Sequence, residues 1–385
     1  MDAPKTDAYI TNTAAFLPGP PIANCEIEDV LGMVGGKPSR ARAIILRSNG
    51  IKKRHYVFDR ATGRPTHNNA QLTAEAVRKL GVGGAHGLEI DCLACGTSTP
   101  DLLVPNHAVM VHGQVGNPAC EVVATTGICL SGFTAFKYAY LNVLSGQAAS
   151  AVATGSEVAS MSLHARHFAP EIDSRVDAVE KQPEIAFEKD FLRWMLSDGA
   201  GAVMLQDKPR ENGISLRVEW ADAFSYAHML PVCMYAGGIK AEGHSVTSWR
   251  SYQAKDWLEQ SIFSLKQDVR LLNDNIARYA CAEPVKVLMK KRGLKAESVD
   301  YLLPHLSSMY FREPIAKAMA EVGFEVPQER WFTNLTERGN TGSASPYIIL
   351  DELFHSGRLK IGDRILLAVP ESGRFSSGFA YFTVV

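Results

Sequence analysis

The sequence lacks the patterns that would assign it to several common classes. Its 40 Lys and Arg residues are balanced by 41 Asp and Glu residues, giving a net charge of −1. Attraction to nucleic acid or to an anionic membrane through bulk charge requires a marked basic excess. We therefore expect no nucleic acid and no membrane as partners. No apolar stretch approaches the roughly 20 residues that a membrane-spanning helix requires.

Cysteine is sparse and scattered, at positions 25, 92, 95, 120, 129, 233 and 281. An odd number without dense spacing does not fit a secreted disulfide framework. Cys92 and Cys95 have metal or redox spacing, but no second pair completes a zinc site, so we expect a structural pair and no metal. The first residues hold no apolar run of signal-peptide length. These features predict a soluble, cytoplasmic protein.

Nucleotide-binding glycine patterns are also missing: the sequence has neither GxGxxG nor GxxxxGK followed by Ser or Thr, so no bound cofactor is expected. What it has is 385 residues, 46% of them hydrophobic, enough for two fused halves and a large core. Strands alternate with helices, which predicts α/β layers. We predict one half over residues 1–210, with a charged insertion at 161–195, and a second over 211–385. A long helix is predicted over roughly 253–292.

The most informative stretch surrounds Cys129. EVVATT has the pattern of a strand, a sharp turn follows at Gly127-Ile128-Cys129, and a helix is predicted from about Ser131 to Ser145. Such a turn exposes the sulfur, and the partial positive charge of a helix N-terminus favours the thiolate. The sequence therefore makes Cys129 a candidate nucleophile. The alternative is a structural cysteine, because free cysteines are among the most buried residues.

Two later residues are candidates for the same site. His305 follows a proline at the end of a predicted strand, and Asn340 lies in a glycine-rich loop that opens a helix. Taken alone, His305 fits an ordinary loop position, and Asn340 beside Gly339 fits an ordinary turn. Their order after Cys129 favours the functional interpretation.

Four blocks of sequence carry a family resemblance: EVVATTGICLSGFTAF around Cys129, YLLPHLSS around His305, RGNTGSASPYIILDEL around Asn340, and SGRFSSGFAYF near the C-terminus. With these blocks the chain resembles the thiolase-superfamily condensing enzymes, most closely the β-ketoacyl-ACP synthase III group. The resemblance implies a five-layered αβαβα fold built from two similar halves. It also implies a homodimer, with the strand that precedes Cys129 near the interface.

The resemblance further implies an acyltransferase reaction in two steps, in fatty acid or polyketide-type biosynthesis. Cys129 takes an acyl group from an acyl carrier protein (ACP) or from coenzyme A, and a Claisen-type condensation with a malonyl or β-ketoacyl thioester follows. His305 and Asn340 stabilise the charge on the second thioester, and the backbone N–H groups of Cys129 and Gly373 form an oxyanion hole. The phosphopantetheine thioester arrives on the substrate, so the catalytic residues need no resident cofactor.

The chain departs from the family pattern in three places. Cys129-Leu-Ser-Gly-Phe133 has one residue more than the usual Cys-x-Gly-Phe, no tryptophan stands four residues before Arg47, and the triple glycine is reduced to Ser372-Gly373-Arg374. These departures indicate a specialised branch. LPGPPIAN and NGIKKRHY are similar to segments of the ketosynthases of bacterial dialkylresorcinol pathways, which join two ACP-bound chains and cyclise them.

Several alternatives remain. An acyltransferase that forms an ester or amide would use the same nucleophile, and a non-catalytic partner subunit of a ketosynthase would share the fold. A degradative or biosynthetic thiolase would need a second cysteine near the C-terminus, but the last one is Cys281. The basic stretch 37–54 and the cluster of Lys286, Lys290, Lys291 and Arg292 are either docking surfaces for an acidic acyl carrier protein or ordinary solvated surfaces.

Overall fold

One large sheet organises the molecule. The computed structural model describes residues 7–39, 41–84, 86–168, 191–241 and 245–385. The sheet strands in chain order are β1 (Tyr9–Phe16), β2 (Cys92–Thr97), β3 (Glu121–Thr126), β4 (Ser150–Glu157), β5 (Gly199–Gln206), β6 (Leu216–Ser225), β7 (Tyr301–Pro304), β8 (Arg364–Glu371) and β9 (Ser376–Val384). Their order across the sheet is β7-β8-β9-β6-β1-β5-β4-β2-β3. The short strand pairs outside it are Ile22–Ala23 with Lys53–Arg54, Met234–Tyr235 with Lys266–Gln267, and Gly238–Lys240 with Val246–Ser248.

The helices connect these strands and cover their faces. They are α1 (Ile27–Leu31), α2 (Arg42–Asn49), α3 (Asn69–Lys79), α4 (His107–Val115), α5 (Leu130–Leu144), α6 (Ala159–Leu163), α7 (Ala254–Glu259), α8 (Val269–Ala277), α9 (Glu283–Arg292), α10 (Arg312–Glu321), α11 (Leu335–Arg338) and α12 (Ser345–Phe354). A π-helical turn, Arg278–Ala282, joins α8 to α9. None of the helices in the described residues is long and apolar enough to cross a membrane.

Five layers result from the way the sheet encloses two helices. α5 contacts β2, β3 and β4 on one side and β8 and β9 on the other, and α12 likewise contacts strands from both ends of the sheet. α3 and α4 cover the outer face of the first group of strands, while the π-helical turn packs on β8 and β9. The order of layers is αβαβα, as predicted. The predicted boundary near residue 210 falls in the loop between β5 and β6, and the division into halves stays a prediction.

The central core forms where α5 meets α12. Phe133 and Phe136 of α5 pack with Tyr347 and Leu350 of α12 and with Phe382 of β9. A helix with strands on two sides needs apolar residues around most of its circumference, and α5 supplies them. Burying these aromatic rings stabilises the fold by roughly 2 to 3 kcal/mol for each side chain. This core fixes the N-terminus of α5, where Cys129 lies.

The predicted long helix over 253–292 is wrong. The structure divides this stretch into α7, the short strand Lys266–Gln267, α8, the π-helical turn and α9. Ser261 has a positive φ of 45°, which no helix continues. The buried ammonium group of Lys266 donates to the carbonyl oxygens of Ser261 and Ile262, at 2.7 and 3.2 Å. These hydrogen bonds fix an irregular backbone that the helical sequence pattern did not indicate.

Most of the predicted insertion at 161–195 lies outside the described residues, which leave out 169–190. Its two flanks are ordinary parts of the fold. On one side α6 ends at Leu163. On the other, Arg193 and Trp194 are buried, with the Arg193 guanidinium donating to the carbonyl oxygen of Leu163 at 2.9 Å. The extent of the insertion stays a prediction.

Candidate active site

Cys129 lies in the strand-to-helix turn that the sequence predicted. β3 ends at Thr126, Gly127 follows with a φ of 156°, and Cys129 is the N-cap residue of α5. The Ser131 hydroxyl donates to the carbonyl oxygen of Ile128 at 2.7 Å, which tightens the turn. The side chain is only 6% exposed. The turn therefore holds the sulfur at the entrance of a helix, inside the protein.

The electrostatics of Cys129 differ from the prediction. Burial raises the pKa of the thiol well above its ordinary value, and the carboxylates of Glu371 and Glu157 raise it further. The predicted preference of the helix N-terminus for the thiolate is outweighed by burial and by these two carboxylates. The reason is local: two acidic groups face the sulfur, and one of them occupies the helix N-terminus.

Glu371 is the group at that N-terminus. Its Oε2 accepts hydrogen bonds from the backbone N–H of Ile128 at 3.1 Å and from that of Leu130 at 2.9 Å. Glu157, at the end of β4, is buried and accepts from the Ser98 hydroxyl at 2.6 Å. Burial raises the pKa of both carboxyl groups. Glu371 was not predicted from the sequence, because its contacts with the start of α5 join residues more than 200 positions apart.

His305 follows β7 and is 2% exposed. Its backbone N–H donates to the carbonyl oxygen of Ala368 in β8 at 2.8 Å, which continues the parallel pairing of these strands. Neither ring nitrogen has a hydrogen-bond partner among the described residues. Burial lowers the pKa of His305 to about 4, so its imidazole is neutral near pH 7. A neutral ring with two unpartnered nitrogens is ready to donate one hydrogen bond to a substrate.

Cys129 and His305 line the same cavity. Its other wall residues are Leu272, Ile276, Leu306, Ser307, Phe311, Ile315, Pro370 and Ser372. The cavity measures about 20 Å³, which is room for roughly one water molecule. Most of the wall residues are apolar, and four of the ten come from α8, α10 and the turn before α10. An acyl chain or a pantetheine arm therefore enters only when these side chains move apart.

Asn340 lies in the loop next to this cavity and is not one of its wall residues. Its backbone N–H donates to the carbonyl oxygen of Met195 at 3.1 Å, and its side-chain Oδ1 accepts from the N–H of Gly342 at 3.0 Å. The residue is 3% exposed. Gly342 lies against Glu157, one of the carboxylates that act on Cys129. The structure thus unites Cys129 and His305 and places Asn340 in the adjoining loop.

Gly373 lies against Ile128 in the turn that carries Cys129, and its role in an oxyanion hole stays a prediction. A Cβ atom at this position would be 3.1 Å from Cγ1 of Ile128 and 3.1 Å from Oε1 of Glu371. The carbonyl oxygen of Gly373 accepts from the N–H of Cys233 at 2.9 Å, which fixes the turn between β8 and β9. A side chain here would crowd the Cys129 turn, so the absence of one lets the two loops approach.

Two other motifs have structural explanations. Cys92 belongs to the central core and Cys95 to the cluster on the opposite face of the sheet, so their thiols do not face each other. Burial raises the pKa of each to about 12, as expected for inert core cysteines. Asp198 joins distant segments by accepting from the backbone N–H of Val57 and of Ser160, each at 2.8 Å.

Comparisons with known proteins agree with this geometry. Residues 289–383 match the family model for "3-Oxoacyl-[acyl-carrier-protein (ACP)] synthase III C terminal". The β-ketoacyl-ACP synthase III of Xanthomonas axonopodis pv. citri is 26% identical over 375 residues, which cover 97% of this chain and 95% of that protein. The corresponding protein of Xanthomonas oryzae pv. oryzae is 27% identical over 375 residues, which again cover 97% of this chain and 95% of that protein. Over nearly its whole length the chain is therefore similar to β-ketoacyl-ACP synthase III, a condensing enzyme of the acyltransferase type.

Solved structures establish the fold of this synthase III-like enzyme. FabH from Pseudomonas aeruginosa has a TM-score of 0.70 and 18% identity, with 98% of both chains covered. OleA of Xanthomonas campestris, solved with lauric acid and lauroyl-CoA, has a TM-score of 0.72 and 20% identity, covering 98% of this chain and 99% of OleA. The tetronic acid condensing enzyme AbyA1 has a TM-score of 0.71 and 20% identity, covering 97% and 99%. The fold is that of the thiolase superfamily.

Proposed function

We propose that this synthase III-like enzyme joins two thioester-bound chains through a covalent intermediate on Cys129. In the first step the sulfur attacks the carbonyl carbon of an acyl thioester, and the donor's thiol leaves with the proton. Thioester exchange is nearly balanced, so both loading and release are feasible. The observation that carries this proposal is the shared cavity of Cys129 and His305.

The second step forms a carbon–carbon bond. Loss of carbon dioxide from a malonyl thioester, or removal of a proton from a β-ketoacyl thioester, leaves an enolate whose carbon attacks the acyl group on Cys129. The sulfur then leaves and takes up a proton. A neutral His305 and the carboxamide of Asn340 suit the enolate oxygen because both donate hydrogen bonds without presenting negative charge.

The oxyanion of the acyl group needs donors of its own. We place it between the backbone N–H groups of Cys129 and Gly373, whose loops lie in contact through Ile128. The catalytic groups named here all belong to the chain, and the phosphopantetheine arm belongs to the substrate. The proposed reaction therefore requires no resident cofactor.

We also propose the identity of the two substrates. Position 43, where the family has a tryptophan that stacks on the CoA adenine, is an alanine, which favours ACP-bound donors over acyl-CoA. We propose that the second substrate is also carried by ACP, as a malonyl or β-ketoacyl chain. Joining two such chains would give a dialkylresorcinol precursor, and we place the reaction in the cytoplasm.

The docking surface for the carrier protein follows from the exposed cations. Lys291 and Arg292 both pair with the carboxylate of Asp222, at 2.7 and 2.8 Å, so part of the positive charge of the predicted basic cluster is already offset. Lys37, Arg47 and Lys52 are exposed on the α2 side of the molecule. We assign the acidic carrier protein to this second surface, where it would be steered by charge.

We further propose a homodimer paired along β3. This strand is the last in the sheet, its residues are half-exposed, and an unpaired edge of this kind normally needs a cover. Leu103 and Val104, in the loop that leads to α4, are 80% and 82% exposed, and α4 packs on β3. Light scattering should give twice the mass of one chain. Leu103→Asp should yield a monomer, and a wild-type monomer would contradict the proposal.

A two-substrate assay tests the condensation. An acyl-ACP with a radiolabelled chain is mixed with the enzyme and malonyl-ACP, and in a parallel reaction with a β-ketoacyl-ACP. The expected product has both chains joined and one carbon dioxide lost when malonyl-ACP is used. A labelled ester or amide would instead support simple acyl transfer. The absence of any product that depends on Cys129 would support the non-catalytic alternative and contradict the proposal.

A further inference from the structure

The carboxylate of Glu371 holds the turn that carries the nucleophile. Glu371 is the last residue of β8, and its Oε2 accepts from the backbone N–H of Ile128 at 3.1 Å and of Leu130 at 2.9 Å. These two amides flank Cys129 in the sequence. One oxygen atom therefore accepts hydrogen bonds from the residues on both sides of the nucleophile and caps the N-terminus of α5.

The backbone N–H of Cys129 lies between these two amides in the sequence and is available for the oxyanion hole. The backbone N–H of Cys129 is directed at the residue's own sulfur. The other oxygen of Glu371, Oε1, lies next to Gly373, 3.1 Å from the position that a Cβ atom would occupy there. A single side chain thus touches both loops that would form the oxyanion hole.

The strand pairing fixes Glu371 in this position. Glu371 pairs with Ser376 of β9, and its neighbours Pro370 and Ser372 line the catalytic cavity, whereas Glu371 does not. Its side chain lies behind the wall of the cavity, and the residue is 9% exposed. Within the part of the chain that the structure describes, no cation forms an ion pair with it. The two backbone amides are what stabilises its buried charge.

Three titratable groups face Cys129, each from a different element. Glu371 approaches from the end of β8 and Glu157 from the end of β4, and His305 shares the cavity from the loop after β7. Because burial keeps His305 neutral, it does not offset the two carboxylates. Both carboxylates disfavour a negative charge on the sulfur.

We infer that Glu371 is a positioning residue for the nucleophile, with two effects. It aligns the Cys129 and Gly373 amides on one oxyanion site, and its carboxylate, held against the Cys129 turn, adds to burial in opposing a negative charge on the resting sulfur. The first effect rests on the proposed function, and the second does not. A protonated sulfur is protected from oxidation and alkylation until a thioester enters. Its proton then leaves on the sulfur of the departing donor thiol, so the transfer needs no other reactant.

The charge effect is tested by alkylation of Cys129 with iodoacetamide, followed by mass spectrometry from about pH 6 to about pH 10. Glu371→Gln keeps an oxygen that accepts both amide bonds but removes the charge. We expect its alkylation profile to move to lower pH by about one unit, which is about a tenfold faster reaction at neutral pH. Glu371→Asp keeps the charge and should stay close to the wild-type profile.

Two results would overturn the inference. One is a Glu371→Gln profile that coincides with the wild type. The other is an equal shift in Glu371→Asp, because that would make geometry and not charge the cause. Cys129→Ala serves as the control for adducts on other cysteines. Because alkylation uses no thioester, a failure of the proposed condensation leaves this result intact, and the two failures are distinguishable.

The alignment effect has its own readout. In Glu371→Ala both amide bonds are lost, and we expect kcat for acyl transfer to fall at least tenfold while KM for the acyl donor changes little. Glu371→Gln should recover most of kcat because it restores the two hydrogen bonds. A Glu371→Ala variant that keeps the wild-type kcat, with a normal circular dichroism spectrum, would contradict the alignment role.

Discussion

At the scale of single residues, His305 connects stability to the proposed chemistry. The fold buries its imidazole, leaves both nitrogens without a partner among the described residues, and lowers the pKa to about 4. An unpartnered buried nitrogen costs free energy, and the structure tolerates two of them here. This cost is reasonable if a substrate oxygen satisfies one nitrogen during the reaction.

The lowered pKa predicts how stability depends on pH. An exposed histidine titrates near about pH 6.5, so between this value and about pH 4 the unfolded chain binds a proton that folded His305 does not. The contribution of neutral His305 to the free energy of unfolding is therefore complete above about pH 6.5 and is lost as the pH falls toward about 4. Between about pH 7.5 and about pH 5, the free energy of unfolding in urea should fall by roughly 2 kcal/mol less for His305→Gln than for the wild type.

One further variant controls this experiment. His107 is also buried with its pKa lowered to about 4, so His107→Gln should reduce the acid sensitivity in the same way. Equal acid sensitivity in the wild type and in His305→Gln would show that His305 titrates normally in the folded protein.

At the scale of elements, two glycines let α5 and β4 approach the turn that follows Asn340. A Cβ atom added to Gly132 of α5 or to Gly155 of β4 would overlap the carbonyl oxygen of Ser343. The Ser343 hydroxyl donates to the carbonyl oxygen of Ser156 at 3.0 Å. The loop that carries Asn340 is thus packed directly on the helix that carries Cys129.

This packing predicts opposite effects for two helical glycines. Gly132→Ala should lower the free energy of unfolding by about 1 to 3 kcal/mol, because backbone atoms must shift to admit the methyl group. Gly113→Ala in α4 should instead be neutral or stabilise by up to about 1 kcal/mol, since its Cβ would meet nothing within 4 Å. Urea unfolding midpoints measure both changes. A Gly132→Ala midpoint at or above the wild type would contradict the close packing.

The elements also show where sequence reasoning succeeds. The turn at Cys129 was predictable because strand, glycine turn and helix follow one another within about ten residues, and each has a local signal. The break near Ser261 was not predictable, because it depends on hydrogen bonds of the buried Lys266 ammonium. The position of Glu371 depends on the pairing of β8 with β9 and on contact with α5, which no local pattern records.

At the scale of the whole molecule, the sheet brings distant segments together. Cys129 follows β3 at one end of the sheet, while His305 follows β7 and Glu371 ends β8 at the other end. They meet because both groups of strands pack on α5. The family resemblance predicted this meeting for Cys129 and His305. It did not predict that the cavity would be as narrow as about one water molecule, because its width depends on how the side chains of α8 and α10 pack.

Because the cavity is narrow, the reaction requires a conformational change. The apolar side chains of Leu272, Ile276, Phe311 and Ile315 must separate before an acyl chain reaches the sulfur. Conformational opening of this kind normally occurs on the microsecond to millisecond scale, which does not limit a typical enzyme. The covalent step itself remains the central claim.

Intact-protein mass spectrometry after incubation with an acyl-ACP, without a second substrate, tests that claim most directly. The wild type should gain the mass of one acyl group, peptide mapping should place it on Cys129, and Cys129→Ala should gain nothing. Added malonyl-ACP should then remove the acyl group from the wild type. An adduct of equal yield in Cys129→Ala, or none in the wild type with any acyl donor, would contradict the account.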